Sequence, residues 1–273
     1  LAKAEEVIVR ALRAAGHHAM AEQVQQVHDQ RIQGLRRAFI KTSPDGRVNV
    51  GAYLRLRENE LHPLDTAEIA NLLWAGIATE EETPEAVEEI SAVLERLATP
   101  GGLGSTAADW SHEQWDTRKR IWAMHNLKAV EGLERIGQHE KAKAIAIAFT
   151  EGAWATYVLT GHTFEKNGYD GTPGGGGEYK VEADMTMTNE TLAYFASLYP
   201  ECQAILDRPM QAESTLQYLR EHQARTHAYQ DARGLVRSAD DPLNLAIEQV
   251  DLMAQQQRLM TERMRSAFRR PGE

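Results

Sequence analysis

Apolar residues recur at helical spacing through most of this chain. Val7, Val9, Ala11, Leu12 and Ala15 mark a first stripe, and Met20, Val24, Val27, Ile32, Leu35 and Phe39 mark a second. Residues three and four apart share one face of a helix, so both stretches are predicted helices. Ser43-Pro44-Asp45-Gly46 then reads as a turn, because proline presets φ, aspartate bonds its own backbone and glycine tolerates positive φ. A short extended piece is expected over 47–56. Ile69, Leu72, Leu73, Trp74 and Ile77 give another helical stripe, and Thr83-Pro84-Glu85 starts the run through Val87, Ile90, Val93, Leu94 and Leu97. Pro100 to Ser105 closes that run. Two further helices, over 115–137 and 140–159, are expected to meet at a tight turn near Gly137.

Between Gly161 and Met187 the rhythm stops. Gly161, Gly168, Gly171, Pro173 and the run Gly174 to Gly177 predict a long loop, with a short hairpin around Tyr179 to Val181. After Pro200 the chain becomes rich in Gln, Arg and Met, and Leu243, Ile247, Val250, Met253, Met260, Met264 and Phe268 fall along one helix face. The expected class is all-α. The expected organisation is a helical array over 1–200 and a helical C-terminal extension over 201–273. The last stripe either packs back on the array or forms a self-association seam with another copy; it is not a strict heptad.

Composition narrows the function classes. The chain has 273 residues, a hydrophobic content of 42%, and a formal net charge of -10 with acidic and basic residues interleaved. That describes a soluble globular protein with no basic stripe for a phosphate backbone, so nucleic acid is not an expected partner. No apolar run reaches the length of a membrane span, and a membrane partner is not expected either. Cys202 is the single cysteine, which excludes an intrachain disulfide and leaves cytoplasm and periplasm both open. His112-Glu113 and His139-Glu140 lack the second histidine of a zinc helix, so neither metal nor cofactor is expected. The chain opens at Leu1, already inside a helical pattern, as a processed or cropped product of a longer protein would.

Two segments carry candidate chemistry. Gly174-Gly175-Gly176-Gly177-Glu178-Tyr179 puts a carboxylate and an aromatic ring after backbone free of side chains, where a bulky ligand can approach closely. It lacks the Lys and Ser/Thr of a phosphate loop, and a neutral, hydroxyl-rich ligand suits it better. A flexible linker that happens to end in Glu-Tyr would look the same locally. Gln114-Trp115-Asp116 combines an amide, a flat apolar face and a carboxylate, as a sugar ring and its hydroxyls require. Its structural alternative is Asp116 capping a helix while Trp115 packs in the core.

Taken in order, these segments resemble the trehalases of glycoside hydrolase family 37 over roughly 21–200. Leu73-Trp74-Ala75-Gly76-Ile77-Ala78, Leu97-Ala98-Thr99-Pro100-Gly101-Gly102-Leu103, Gln114-Trp115-Asp116, Val130-Glu131-Gly132-Leu133, Phe164-Glu165-Lys166, the Gly-rich GGGGEY run and Thr188-Asn189 follow one another as the family's motifs do. The resemblance implies an (α/α)6 toroid, here incomplete, and hydrolysis of α,α-trehalose with inversion. It implies Glu178 as general base, Trp115 lining the glucose pocket with Gln114 and Asp116 beside it, and Gly176, Gly177 and Tyr179 at the substrate. Inverting hydrolysis uses two carboxyl groups roughly 6.5–9.5 Å apart. The family's acid stands in an SGWD context that has no counterpart here, and Met187 and Glu190 replace the tryptophan and glycine around Thr188-Asn189. Asp116, Glu113 and Asp184 are the candidates for a second carboxylate within this chain, each with a structural, solvated-surface alternative. The alternative reading is a non-catalytic relative that binds carbohydrate or acts as a helical interaction protein.

Overall fold

The computed structural model describes residues 1–55, 57–58, 60–61, 65–107, 118–174, 181–237 and 241–268, with only the backbone course at 242 and 264–268. Among these residues the secondary structure consists of ten α-helices, one short 3-10 turn and strands of two or three residues. The class is all-α. Helices α1 (Ala2–Ala14), α2 (His18–Phe39), α3 (Ala70–Trp74), α4 (Pro84–Leu97), α5 (Ala123–Arg135) and α6 (His139–Thr160) are followed by α7 (Thr186–Leu198), α8 (Pro200–Leu206), α9 (Ala212–Ala232) and α10 (Pro242–Phe268). The chain divides into two compact units, 1–98 with 103–146 and 99–102 with 147–273. The main boundary between these units falls inside α6.

In the first unit α1 and α2 pack along one another, and the partly buried Glu5 carboxylate accepts from Arg31 Nε at 2.9 and 3.0 Å. Val9, Ala21 and Ile32 are buried on this pair, whereas Val7, Ile8, Met20 and Val27 stay about half exposed. The periodicity located the helices but overstated the width of the face they bury. The turn at 43–46 closes a hairpin between β1 (Ile40–Thr42) and β2 (Val48–Val50), which pair antiparallel with Ile40 opposite Val50. Helix α4 has Pro84 in its first turn, where a missing N–H costs nothing, and it buries Val87, Ile90, Val93, Leu94 and Leu97.

The expected helix over 115–137 starts later, at Ala123, because Arg120–Trp122 is extended. Tertiary partners decide this. Ser105 donates to the Arg120 carbonyl through both its amide and its hydroxyl, each at 3.0 Å, and the Asn126 side chain donates to the Trp122 carbonyl at 2.8 Å. The Arg120 carbonyl has thus found its partners in another segment and the Trp122 carbonyl in the first turn of α5, while Ile121 and Trp122 are buried.

The second unit is built on the later part of α6. Phe149, fully buried, meets Phe195 of α7 edge to face with ring centroids 5.8 Å apart. Tyr218 and Leu219 of α9 and Leu243 of α10 form a core cluster with Ala155 of α6, and Ile247 and Val250 pack against it. Residues beyond 200 thus share a core with those before it. Only one face of α10 takes part; Leu245, Leu252, Met253, Leu259 and Met260 are all more than half exposed.

Candidate functional site

Gln114, Trp115, Asp116, Gly176, Gly177, Glu178 and Tyr179, and with them Glu113, lie outside the described residues, as does most of the hairpin expected around Tyr179 to Val181. What the structure does describe is how the chain is held on either side of the two segments that contain them.

The segment 108–117 leaves from Ala107 and returns at Arg118. The Ala107 amide donates to the Asp65 carbonyl at 3.2 Å, and Arg118 Nε donates to the Ala107 carbonyl at 3.0 Å. Both ends are therefore joined to each other. The glycine-rich motif upstream supplies the support: Gly104 forms an antiparallel bridge with Ile121, and the Leu103 amide donates to buried Asn126 Oδ1 at 2.9 Å. A Cβ on Gly104 would stand 2.7 Å from the Arg118 carbonyl oxygen, so the motif needs glycine where the backbone of the returning chain passes.

The Gly-rich segment is held in the same manner. Residues 166–174 form a compact hairpin in which the Gly168 amide donates to the Thr172 carbonyl at 2.7 Å and the Gly174 amide to the Lys166 carbonyl at 2.8 Å. Asp170 Oδ1 accepts from the Thr172 hydroxyl at 2.6 Å and closes the tip. On the far side of 175–180, the Glu165 amide donates to the Glu182 carbonyl at 2.9 Å, and Phe164 bridges Ala183. Residues 164–166 thus anchor both ends. Thr188 then donates its hydroxyl to the Phe164 carbonyl at 2.7 Å, and Thr163 donates to Asn189 Oδ1 at 2.8 Å, so Thr188-Asn189 holds the same stretch of chain from α7. Asp184 is exposed, has φ 56°, and pairs with His162 at 3.0 Å.

Two other motifs meet in the first unit. Gly132 of α5 lies against Leu73 of α3, where a Cβ would be 2.8 Å from the Leu73 Cβ, and the Trp74 indole donates to Glu131. Beside them Glu68 accepts from His125 Nε2 at 2.9 Å and from Asn71, with Lys128 Nζ 4.0 Å away. The His125 hydrogen bond is the main cause that lowers the Glu68 pKa from 4.5 to about 2 against the opposing effect of burial. Glu68 is therefore ionised at neutral pH and unsuited to donating a proton. A depressed carboxylate pKa stabilises the fold above the unfolded value, and the contribution fades as pH falls from about 4.5 to about 2. The stability difference between wild type and Glu68→Gln, followed by denaturant unfolding, is expected to shrink across that window.

The matches to known proteins agree with the order of these motifs. A family model described as Trehalase matches residues 1–200. The chain belongs to the trehalase family. It is 31% identical over 231 residues to a periplasmic trehalase of Escherichia coli strain SMS-3-5, an alignment that covers 81% of this chain and 39% of that protein. A putative periplasmic trehalase of Escherichia coli O157:H7 matches to the same extent, at 31% identity. The chain thus spans about two-fifths of the length of these trehalase-family relatives. Among solved structures, the neutral trehalase of Saccharomyces cerevisiae aligns at 18% identity with a TM-score of 0.49, covering 74% of this chain and 36% of that one. The α9 face described below lies beyond the residues the family model matches. Nothing in its sequence marked it, since a polar residue at helical spacing signals burial only once the buried face is known.

Proposed function

We propose that this chain is the part of a trehalase-type glycoside hydrolase that carries the general base, acting on α,α-trehalose with inversion at the anomeric carbon. Glu178 activates the attacking water, Trp115 presents an apolar face to a glucose ring, and Gln114 and Asp116 bond its hydroxyls. Gly176 and Gly177 let the sugar approach the backbone, with Tyr179 beside them. The (α/α)6 toroid belongs to the same reading, with residues 1–200 as its contribution. The observation that carries the proposal is the anchoring of the chain on both sides of 175–180 to residues 164–166 within a family member. A base must hold its reacting geometry closely, and a short segment tied at both ends loses little entropy in doing so.

Inversion needs a second carboxyl group that is protonated. The proposal assigns it to the portion of the family's length that this chain does not span, because the local alternatives are poorly suited: Asp184 is exposed and paired with His162, and Glu68 is held ionised. A periplasmic location is part of the reading, since the Escherichia coli relatives are named for that compartment. No helix among the described residues is long and apolar enough to cross a membrane.

Titration calorimetry with trehalose, run beside a glucose-release assay, tests the proposal. Trehalose binding is expected, weakened roughly tenfold by Trp115→Ala through loss of an aromatic face. Glucose release by the isolated chain would place the acid within it. Neither binding nor release would overturn the carbohydrate reading in favour of a helical interaction protein.

A further inference from the structure

The buried face of α9 changes character along its length. Its first half buries Leu216, Tyr218 and Leu219, as a core helix should. One turn later the same face buries His222 and Thr226, 0% and 1% exposed, and continues to Tyr229 and Gln230. This polar stretch meets the tip of the 166–174 hairpin. The Tyr169 and Tyr229 rings stand 5.3 Å apart, and Gln230 Nε2 reaches the Tyr169 hydroxyl at 3.5 Å. A Cβ on Gly171 would lie 2.8 Å from the Ala155 Cβ and 3.4 Å from His222 Nε2, so glycine is what allows the tip to settle on α6 and α9.

Burying polar groups without partners costs roughly 1–3 kcal/mol each. Yet Thr226 Oγ1, Gln230 Oε1 and Asn167 Oδ1 complete no protein hydrogen bond, and the buried His222 ring has only the Tyr169 backbone as a hydrogen-bond partner. Burial, and then the Arg225 guanidinium, lower the His222 pKa to about 4, with the Tyr169 backbone hydrogen bond and then Asp241 opposing, so the ring is neutral and offers one donor and one acceptor. Several buried donors and acceptors along one face, with no net charge among them, match the coordination of ordered water, which typically makes about three hydrogen bonds in such sites.

We propose that His222 and Thr226 are positioning residues: through ordered water they fasten the 166–174 hairpin to α9, and so fix the point from which the Gly-rich run leads to Glu178. The inference rests on the proposed role of Glu178 for its functional meaning, but its structural half stands alone. The chemistry is uncharged hydrogen bonding, and the ligand is water rather than an ion.

Amide exchange resolved at Gly168, Gly171 and Gly174 tests it without substrate. His222→Leu and Thr226→Val are each expected to speed exchange at these amides roughly tenfold, while His222→Gln, which keeps hydrogen-bonding groups, restores slow exchange. If the polar face is only a tolerated defect, both apolar variants will leave these amides slow and raise Tm, and the proposal falls. Equal behaviour of His222→Gln and His222→Leu would also overturn it. Should His222→Leu fail to fold, the near-isosteric Thr226→Val decides. In a chain that turns over trehalose, the same variants are expected to lower kcat with KM little changed. Fast exchange without that split would retain the positioning of the hairpin and count against Glu178 as the group it serves.

Discussion

Glu178→Gln is expected to lower glucose release from trehalose by about 10²- to 10⁴-fold, the usual contribution of a positioned general base. The amide keeps the shape of the side chain and one acceptor oxygen, but it cannot take a proton from water. Trehalose affinity should change by less than about threefold, because substrate binding does not depend on that transfer. The measurement is initial rate against trehalose concentration, on the longest form of the protein that turns the sugar over. A parallel loss of affinity would mean that Glu178 binds substrate rather than activating water. Undiminished release would remove it from the chemistry altogether and would redirect attention to Asp116 or Glu113.

The largest structural effect is expected at Gly152. Helix positions normally gain from Gly→Ala by roughly 1 kcal/mol. Here a Cβ would stand 2.6 Å from the Gly101 Cα, and Gly101 in turn has the Tyr169 Cα 2.9 Å from where its own Cβ would be. Three stretches of backbone are stacked with no side chain between them, and backbone cannot rotate away as a long side chain can. Gly152→Ala should therefore destabilise, and Gly152→Val should cost about 3 kcal/mol, at the upper end for overpacking. For a chain of this size that corresponds to a fall in Tm of roughly 6–12 °C. Because Tyr169 forms the hairpin tip, Gly152→Val is also expected to speed amide exchange through 166–174 ahead of global unfolding. A rise in Tm for Gly152→Ala would show that α6 and the 99–102 segment separate more easily than their contact suggests.

The second effect also explains a motif. Pro100-Gly101-Gly102-Leu103 was legible as the end of a helical run. In the structure Gly101 makes the close approach to α6, Thr99 Oγ1 ties the bend by donating to the Gly102 carbonyl at 2.6 Å, and Leu103 and Gly104 carry the support for the segment that leads to Trp115. One short run thus serves two segments that are far apart in sequence.

What the sequence determined by itself was local and periodic. The apolar spacing located α1, α2, α4, α6 and α10, since a helix face is set by residues three and four apart and needs no knowledge of its partner. The turn at 43–46 and the loop character of the chain after Gly161 followed from proline and glycine, whose backbone limits travel with the residue. The ordered motifs carried the family. Tertiary structure decided the rest. The chain at Ile121 is extended because Ser105, fifteen residues from Arg120, claims the Arg120 carbonyl, a competition invisible to a local window. Val7, Met20 and Val27 are exposed because an apolar stripe does not state how much of its width a neighbour will cover. The chain after 200 joins the core of what precedes it because Tyr218, Leu219 and Leu243 find Ala155. His222 and Thr226 are buried although nothing in their sequence spacing marks them, since burial is a property of two elements and a sequence window contains one.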